Sequence, residues 1–199
     1  MDIGDIEGTA QSLYRKAGLE PSDIVSPLTL VTSLLGPNTV RLVHAAALPG
    51  GAALARVGQE WRIYVRQFLP PQQKRFVLLH ELAHWALGVT AEEATCDALA
   101  AALLLPRPAF LQVLRRQGHR LPALAEKFGT TESCVALRIA ETTDEPTALV
   151  TPRSVRVRGA EFGWPTEGEL RQIARGSTPG IRKAVLRDDP RRTLLKGAG

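Results

Sequence analysis

The chain of 199 residues carries 25 Lys+Arg against 20 Asp+Glu and is 44% apolar and 23% charged. That composition is ordinary for a globular protein and excludes a mainly disordered chain, and two cysteines are too few for a disulfide framework. The charge is uneven: residues 1–149 hold 14 basic and 15 acidic side chains, whereas residues 150–199 hold 11 and 5. A near-neutral body is therefore followed by a basic extension, suited at most to weak, non-specific contact with nucleic acid. No membrane span is expected, because the longest apolar run, Ala98–Pro106, falls far short of about 20 residues. The acidic N-terminus MDIGDIEGTAQ lacks the apolar core of a secretory signal, and with only two cysteines the expected location is cytoplasmic.

Residues 5–17 are expected to form a first helix, with Ile6, Ala10, Leu13, Tyr14 and Ala17 on one face and Gly18 closing it. Ser26 and Pro27 open a second helix, whose buried stripe should be Leu28, Val31, Leu34 and Leu35. The period then drops to two. Val40–His44, Ala52–Val57 and Trp61–Arg66 read as a small antiparallel meander with a tight turn at Gly58-Gln59. After Pro70-Pro71 the helical period returns over 71–87, Gly88 stops it, and Ala91–Leu105 follows. Helices are also expected over 107–117, 121–128 and 131–141. Leu124–Ile139 has a helix–turn–helix rhythm, but its second helix offers Arg138 alone for reading bases. Beyond 146 the pattern weakens: Val155–Val157 reads as a strand, Thr166–Ala174 as a short helix, Trp164 as a docking residue, and 176–199 as loose.

The chemistry is carried by His80-Glu81-Leu82-Ala83-His84, an HExxH motif in the middle of the predicted 71–87 helix. Residues four apart lie one turn apart on one face, so both imidazoles can reach one metal ion. Glu81 can then address a water without ligating the ion. A catalytic zinc takes a third protein ligand and keeps one position open. The next carboxylates are Glu92, Glu93 and Asp97. Glu93 has a competing role, because Thr90-Ala91-Glu92-Glu93 is a capping box in which Glu93 would bond back to Thr90. Spacing alone leaves ligand and cap both open.

Arg75-Phe76 and the HExxH helix are followed by Glu93-Ala94-Thr95-Cys96-Asp97-Ala98-Leu99-Ala100-Ala101 and Leu103-Leu104-Leu105-Pro106. Together they resemble the ImmA/IrrE family of metallo-endopeptidases, with its AHELGH-like helix and its E-x-x-C/A-N/D-x-F-A-A and LLMP runs. Leu124–Gly129 and Val135–Arg138 resemble the family's LAxxFGVS and RL segment. This chain has Leu99 where the family has Phe and Leu105 where it has Met. Residues after about 150 have no counterpart in the pattern.

The resemblance implies an α+β, mainly helical zincin-like domain over 1–145 with a small antiparallel sheet before the HExxH helix; from charge and pattern, residues 146–199 are expected to form a basic, partly ordered C-terminal appendage. It implies one zinc ion held by His80, His84 and Glu93, with Glu81 as the catalytic base and Asp97 as an outer partner or alternative ligand. Substrates in the family are often helix–turn–helix transcriptional repressors. The strand Trp61–Arg66, through Trp61, Ile63 and Tyr64, is the expected docking edge for an extended peptide. The alternative is a catalytically silent, metal-stabilised regulatory module that binds DNA or a partner protein. A structural site of that kind has no use for Glu81 and prefers four closed ligands.

Overall fold

The computed structural model of the protein describes residues 3–44, 48–118, 120–142, 147–150, 155–158, 181–185 and 193–197. Trp164 and the helix expected over Thr166–Ala174 lie outside them. The fold is α+β and mainly helical, and its contacts divide the chain into two compact units. One comprises residues 1–118 and 126–130, the other 119–125 and 131–199.

The first unit begins with α1 (Ile3–Lys16) and α2 (Pro27–Leu35). On α1 the expected stripe Ile6, Ala10, Leu13 and Tyr14 is buried. The Tyr14 hydroxyl donates to the Leu103 carbonyl at 2.7 Å, which ties α1 to α4 (Glu93–Leu104). On α2 the buried residues are Pro27, Leu30 and Val31, while Leu28 is exposed, so the stripe is rotated from the expected one. Pro27 occupies the first turn, and Ser26 caps by position but makes no side-chain bond.

The sheet has three strands, β1 (Val40–Val43), β2 (Ala52–Val57) and β3 (Glu60–Arg66), in the order β1-β3-β2. The expectation of an antiparallel meander is corrected: β2 and β3 form an antiparallel hairpin, but β1 runs parallel to β3. A period of two identifies a strand and says nothing about its neighbour. The stretch between β1 and β2 is long enough to carry the chain past β3, which occupies the centre with Ile63 and Val65 buried. The central position also overturns the docking edge expected at Trp61, Ile63 and Tyr64. Both sides of β3 are already paired, and the Ile63 N–H donates to the Thr39 carbonyl at 2.9 Å on the β1 side. Among the described residues, β1 and β2 are the edge strands of this sheet.

Against this sheet lies α3 (Pro71–Leu87), whose bounds match the expected helix. Pro71 suits the first helical position, where no N–H partner is needed. Leu78, Leu79, Leu82 and Ala83 form its buried stripe. Each buried leucine contributes roughly 1.5–3 kcal/mol. The chain leaves α3 through Gly88 at φ 103°, a conformation that a side chain would strain. The Ala91 N–H closes the turn on the Gly88 carbonyl at 3.0 Å, and α4 starts at Glu93. From Leu99 to Leu104 every side chain of α4 is buried, so this helix is the interior of the unit. The chain continues into α5 (Arg107–Gln117). Arg75 on α3 donates to the Phe128 carbonyl at 3.3 Å, and a Cβ added to Gly129 would come within 3.3 Å of its guanidinium.

In the second unit α7 (Glu132–Thr142) packs on β4 (Thr147–Val150) and β5 (Val155–Arg158). The division therefore falls before α7 and not at the 145/146 boundary expected from the sequence; α6 (Leu121–Phe128) runs across it. Arg138 is fully buried with Glu141 at 3.8 Å, so the one basic residue of the second helix is not displayed for base reading. The tail expected to be loose contains β6 (Ile181–Val185) and β7 (Thr193–Gly197). With β4 and β5 they form an antiparallel sheet in the order β5-β4-β7-β6. Among the described residues no single helix is long and apolar enough to cross a membrane.

Candidate metal centre

His80 and His84 stand one turn apart on α3 with their ring centroids 4.8 Å apart. Their Nε2 atoms face each other at 3.1 Å. Glu93, in the first turn of α4, sends Oε2 to 3.1 Å from His80 Nε2 and Oε1 to 3.4 Å from His84 Nε2. The ligand atoms of the three residues lie within 4.8 Å of one another, a set able to hold a metal ion. Ligands about 2.0–2.1 Å from a tetrahedral zinc stand roughly 3.3–3.4 Å from one another. The observed 3.1 and 3.4 Å separations fit that spacing, and two imidazoles with a carboxylate are a zinc donor set.

The capping box does not form. Glu92 occupies the N-cap without a side-chain bond, Glu93 is the first helical residue, and its carboxylate turns to the two imidazoles. Its side chain is 79% exposed, against 15% for His80 and 12% for His84, so the cluster opens to solvent on the Glu93 side.

The outer nitrogens of both rings are also engaged from α4. His80 Nδ1 lies 3.0 Å from Asp97 Oδ1, and His84 Nδ1 lies 3.4 Å from Cys96 Sγ. Asp97 thus sits behind His80, where an outer partner belongs, rather than among the inner ligand atoms. Burial lowers the His80 pKa, but the hydrogen bond and charge of Asp97, with Glu93 and Glu81, outweigh it and the net shift is upward. Burial raises the Cys96 thiol to about 11, helped by Glu93, Asp97 and Glu81, so the sulfur stays protonated at neutral pH.

Glu81 is half-buried, and burial raises its carboxyl pKa; the charges of His80 and His84 and a hydrogen bond from the Leu54 backbone N–H pull the other way. That bond follows from the hairpin register. Val57 pairs with Glu60 across the two-residue turn, so the backbone groups of Ala52, Leu54 and Arg56 face away from β3. The free edge of β2 consequently runs beside the HExxH helix. The sequence does not reveal this edge, nor that Cys96 meets His84. The i, i+3, i+4 spacing of Glu93, Cys96 and Asp97 is the available signal for the second. His44 packs edge-on against Phe68 with centroids at 5.4 Å and is not part of the cluster. His119 lies outside the described residues.

Residues 39–140, just over half of the chain, match the peptidase family described as the IrrE N-terminal-like domain. The chain belongs to this family. It is 24% identical over 215 aligned positions to the radiation response metalloprotease IrrE of Deinococcus radiodurans, covering 84% of this chain and 66% of that protein. Among solved structures, a Mycobacterium tuberculosis transcriptional regulator shares the fold with a TM-score of 0.61 at 17% identity, over 92% of this chain and 64% of that one. The chain thus spans slightly under two thirds of each of these relatives. The His80, His84 and Glu93 cluster lies within the matched segment, as does Glu81.

Proposed function

We propose that this chain is a zinc-dependent endopeptidase that hydrolyses peptide bonds in a protein substrate, with a helix–turn–helix transcriptional repressor as the substrate class. The carrying observation is the carboxylate of Glu81 on the same helix turn as two imidazoles that converge with Glu93. His80, His84 and Glu93 would hold the ion, with Asp97 orienting His80. Zinc, when bound, supplies Lewis-acid polarisation and a more acidic water.

Glu81 accepts the proton of the attacking water and delivers it to the departing amine. The upward pull of burial on its pKa makes Glu81 a better base than a solvated carboxylate. The extended substrate docks on the free edge of β2, where the outward backbone groups of Ala52 and Arg56 offer strand-like pairing on either side of Leu54. The Leu54 backbone N–H, on the outward side of β2, acts on the Glu81 carboxyl and so puts the base beside that edge. The repressor class rests on the family resemblance. The basic residues 150–199 support weak, sequence-indifferent contact with nucleic acid, whose affinity should fall steeply as salt is added.

The test is incubation of the zinc-loaded chain with helix–turn–helix repressors, with fragments read by mass spectrometry beside Glu81→Gln. Discrete fragments from the wild-type chain and none from the variant are expected. Binding of a repressor without cleavage by either would favour the silent regulatory module.

A further inference from the structure

We propose that Cys96 is a positioning residue of the metal centre: its sulfur accepts the Nδ1–H of His84 and so holds the tautomer that leaves Nε2 free for zinc. The inference rests on the zinc reading above and extends it to a residue with no place in the ligand set.

His84 enters the cluster through Nε2, which lies 3.1 Å from His80 Nε2 and 3.4 Å from Glu93 Oε1. A neutral imidazole can bind a metal through Nε2 only if its proton sits on Nδ1. That N–H then needs an acceptor, because the His84 side chain is only 12% exposed. Cys96 Sγ lies 3.4 Å from Nδ1, within reach of an N–H···S bond, and Cys96 has no exposed surface through which water could take its place.

The two ring nitrogens point away from each other, so a sulfur beside Nδ1 cannot bind the ion held at Nε2. This geometry separates Cys96 from the role of fourth ligand. The arrangement repeats one residue later, where Asp97 accepts the Nδ1–H of His80 at 3.0 Å. One face of α4 therefore carries Glu93 for the inner sphere and Cys96 and Asp97 for the two outer nitrogens. The two outer partners differ in setting. Asp97 is 39% exposed on its side chain, whereas Cys96 is fully buried, where a small, weakly polar acceptor fits without the cost of burying a carboxylate.

The experiment measures zinc affinity of the full chain by competition with a chromogenic chelator, for wild type, Cys96→Ser and Cys96→Val, with circular dichroism to verify the fold. Cys96→Val should bind zinc about 10–100-fold more weakly, as is usual when an outer partner is removed. Cys96→Ser, which keeps an acceptor, should stay within a few-fold of wild type. Equal affinity in wild type and Cys96→Val overturns the proposal, as does equal weakening in both variants, which marks a packing role. Should Cys96→Val fail to fold, long-range proton–nitrogen NMR of the zinc-loaded wild type decides. A proton on His84 Nδ1 and zinc on Nε2 are expected; zinc on Nδ1 overturns the assignment. A sulfur-to-metal charge-transfer band after cobalt substitution would make Cys96 a ligand and also overturn it. A wild-type chain that binds no zinc defeats the zinc reading itself, whereas a zinc-binding wild type with an indifferent Cys96→Val defeats this inference alone.

Discussion

α3 and α4 meet at the site but contribute in different ways. α3 buries Leu78, Leu79, Leu82 and Ala83 on one side and presents His80, Glu81 and His84 half-buried on the other. α4 is interior from Leu99 to Leu104, and its N-terminal part carries the exposed Glu93, the partly exposed Asp97 and the fully buried Cys96. Chemistry is thus placed on a helix fixed along its length, while the residues that complete and orient the metal set sit where a buried helix emerges. Changes on α3 at Glu81 should strike turnover and spare the metal. Changes on α4 should strike metal affinity first.

The largest expected effect follows from Glu81→Gln. A general base contributes about 10²–10⁴-fold to rate, so cleavage should drop by that much while zinc content stays at the wild-type level. Steady-state cleavage assays beside elemental analysis test this, and loss of zinc from the variant would blur the contrast between the helices. Asp97→Ala should weaken zinc binding about 10–100-fold, in line with its place behind His80. If Asp97→Ala proves more damaging to zinc binding than Glu93→Ala, the two carboxylates exchange roles.

A smaller effect separates the two strands of the hairpin. Arg56→Pro removes an N–H that faces away from β3, so the sheet should survive. Loss of one hydrogen bond to an edge-docked peptide, about 0.5–1.5 kcal/mol, corresponds to roughly a 2–10-fold rise in KM with zinc affinity unchanged. An unaltered KM would argue for docking elsewhere than β2.

The helices and the β2–β3 hairpin of this architecture were open to sequence reasoning, and the remaining strand pairing was not. Pro70-Pro71 and Gly88 punctuate α3 so strongly that its bounds follow from local chemistry, and the spacing of His80 and His84 fixes their shared face. The start of α4 is less legible, because Thr90 to Glu93 satisfies the capping-box pattern while the helix opens two residues later and turns Glu93 towards the imidazoles. Alternation in Val40–Val43 and Glu60–Arg66 signals strands, but that β1 lies parallel to β3 and leaves β2 with a free edge depends on non-local contacts. β6 and β7 escaped for the same reason: Ile181–Val185 and Thr193–Gly197 are short, basic in part, and defined by partners distant in sequence. At the site the inner residues are visible in the motif, whereas Leu54 beside Glu81 and Cys96 behind His84 emerge only when the elements pack.

The central claim is that an exposed carboxylate on α4 completes a zinc set begun by two imidazoles on α3. Zinc stoichiometry of the purified chain and of Glu93→Ala, measured by elemental analysis after dialysis against a weak chelator, tests it most directly. One zinc per wild-type chain and a large loss in a folded Glu93→Ala are predicted. Full occupancy in Glu93→Ala, or a wild-type chain that takes up no zinc, would contradict it.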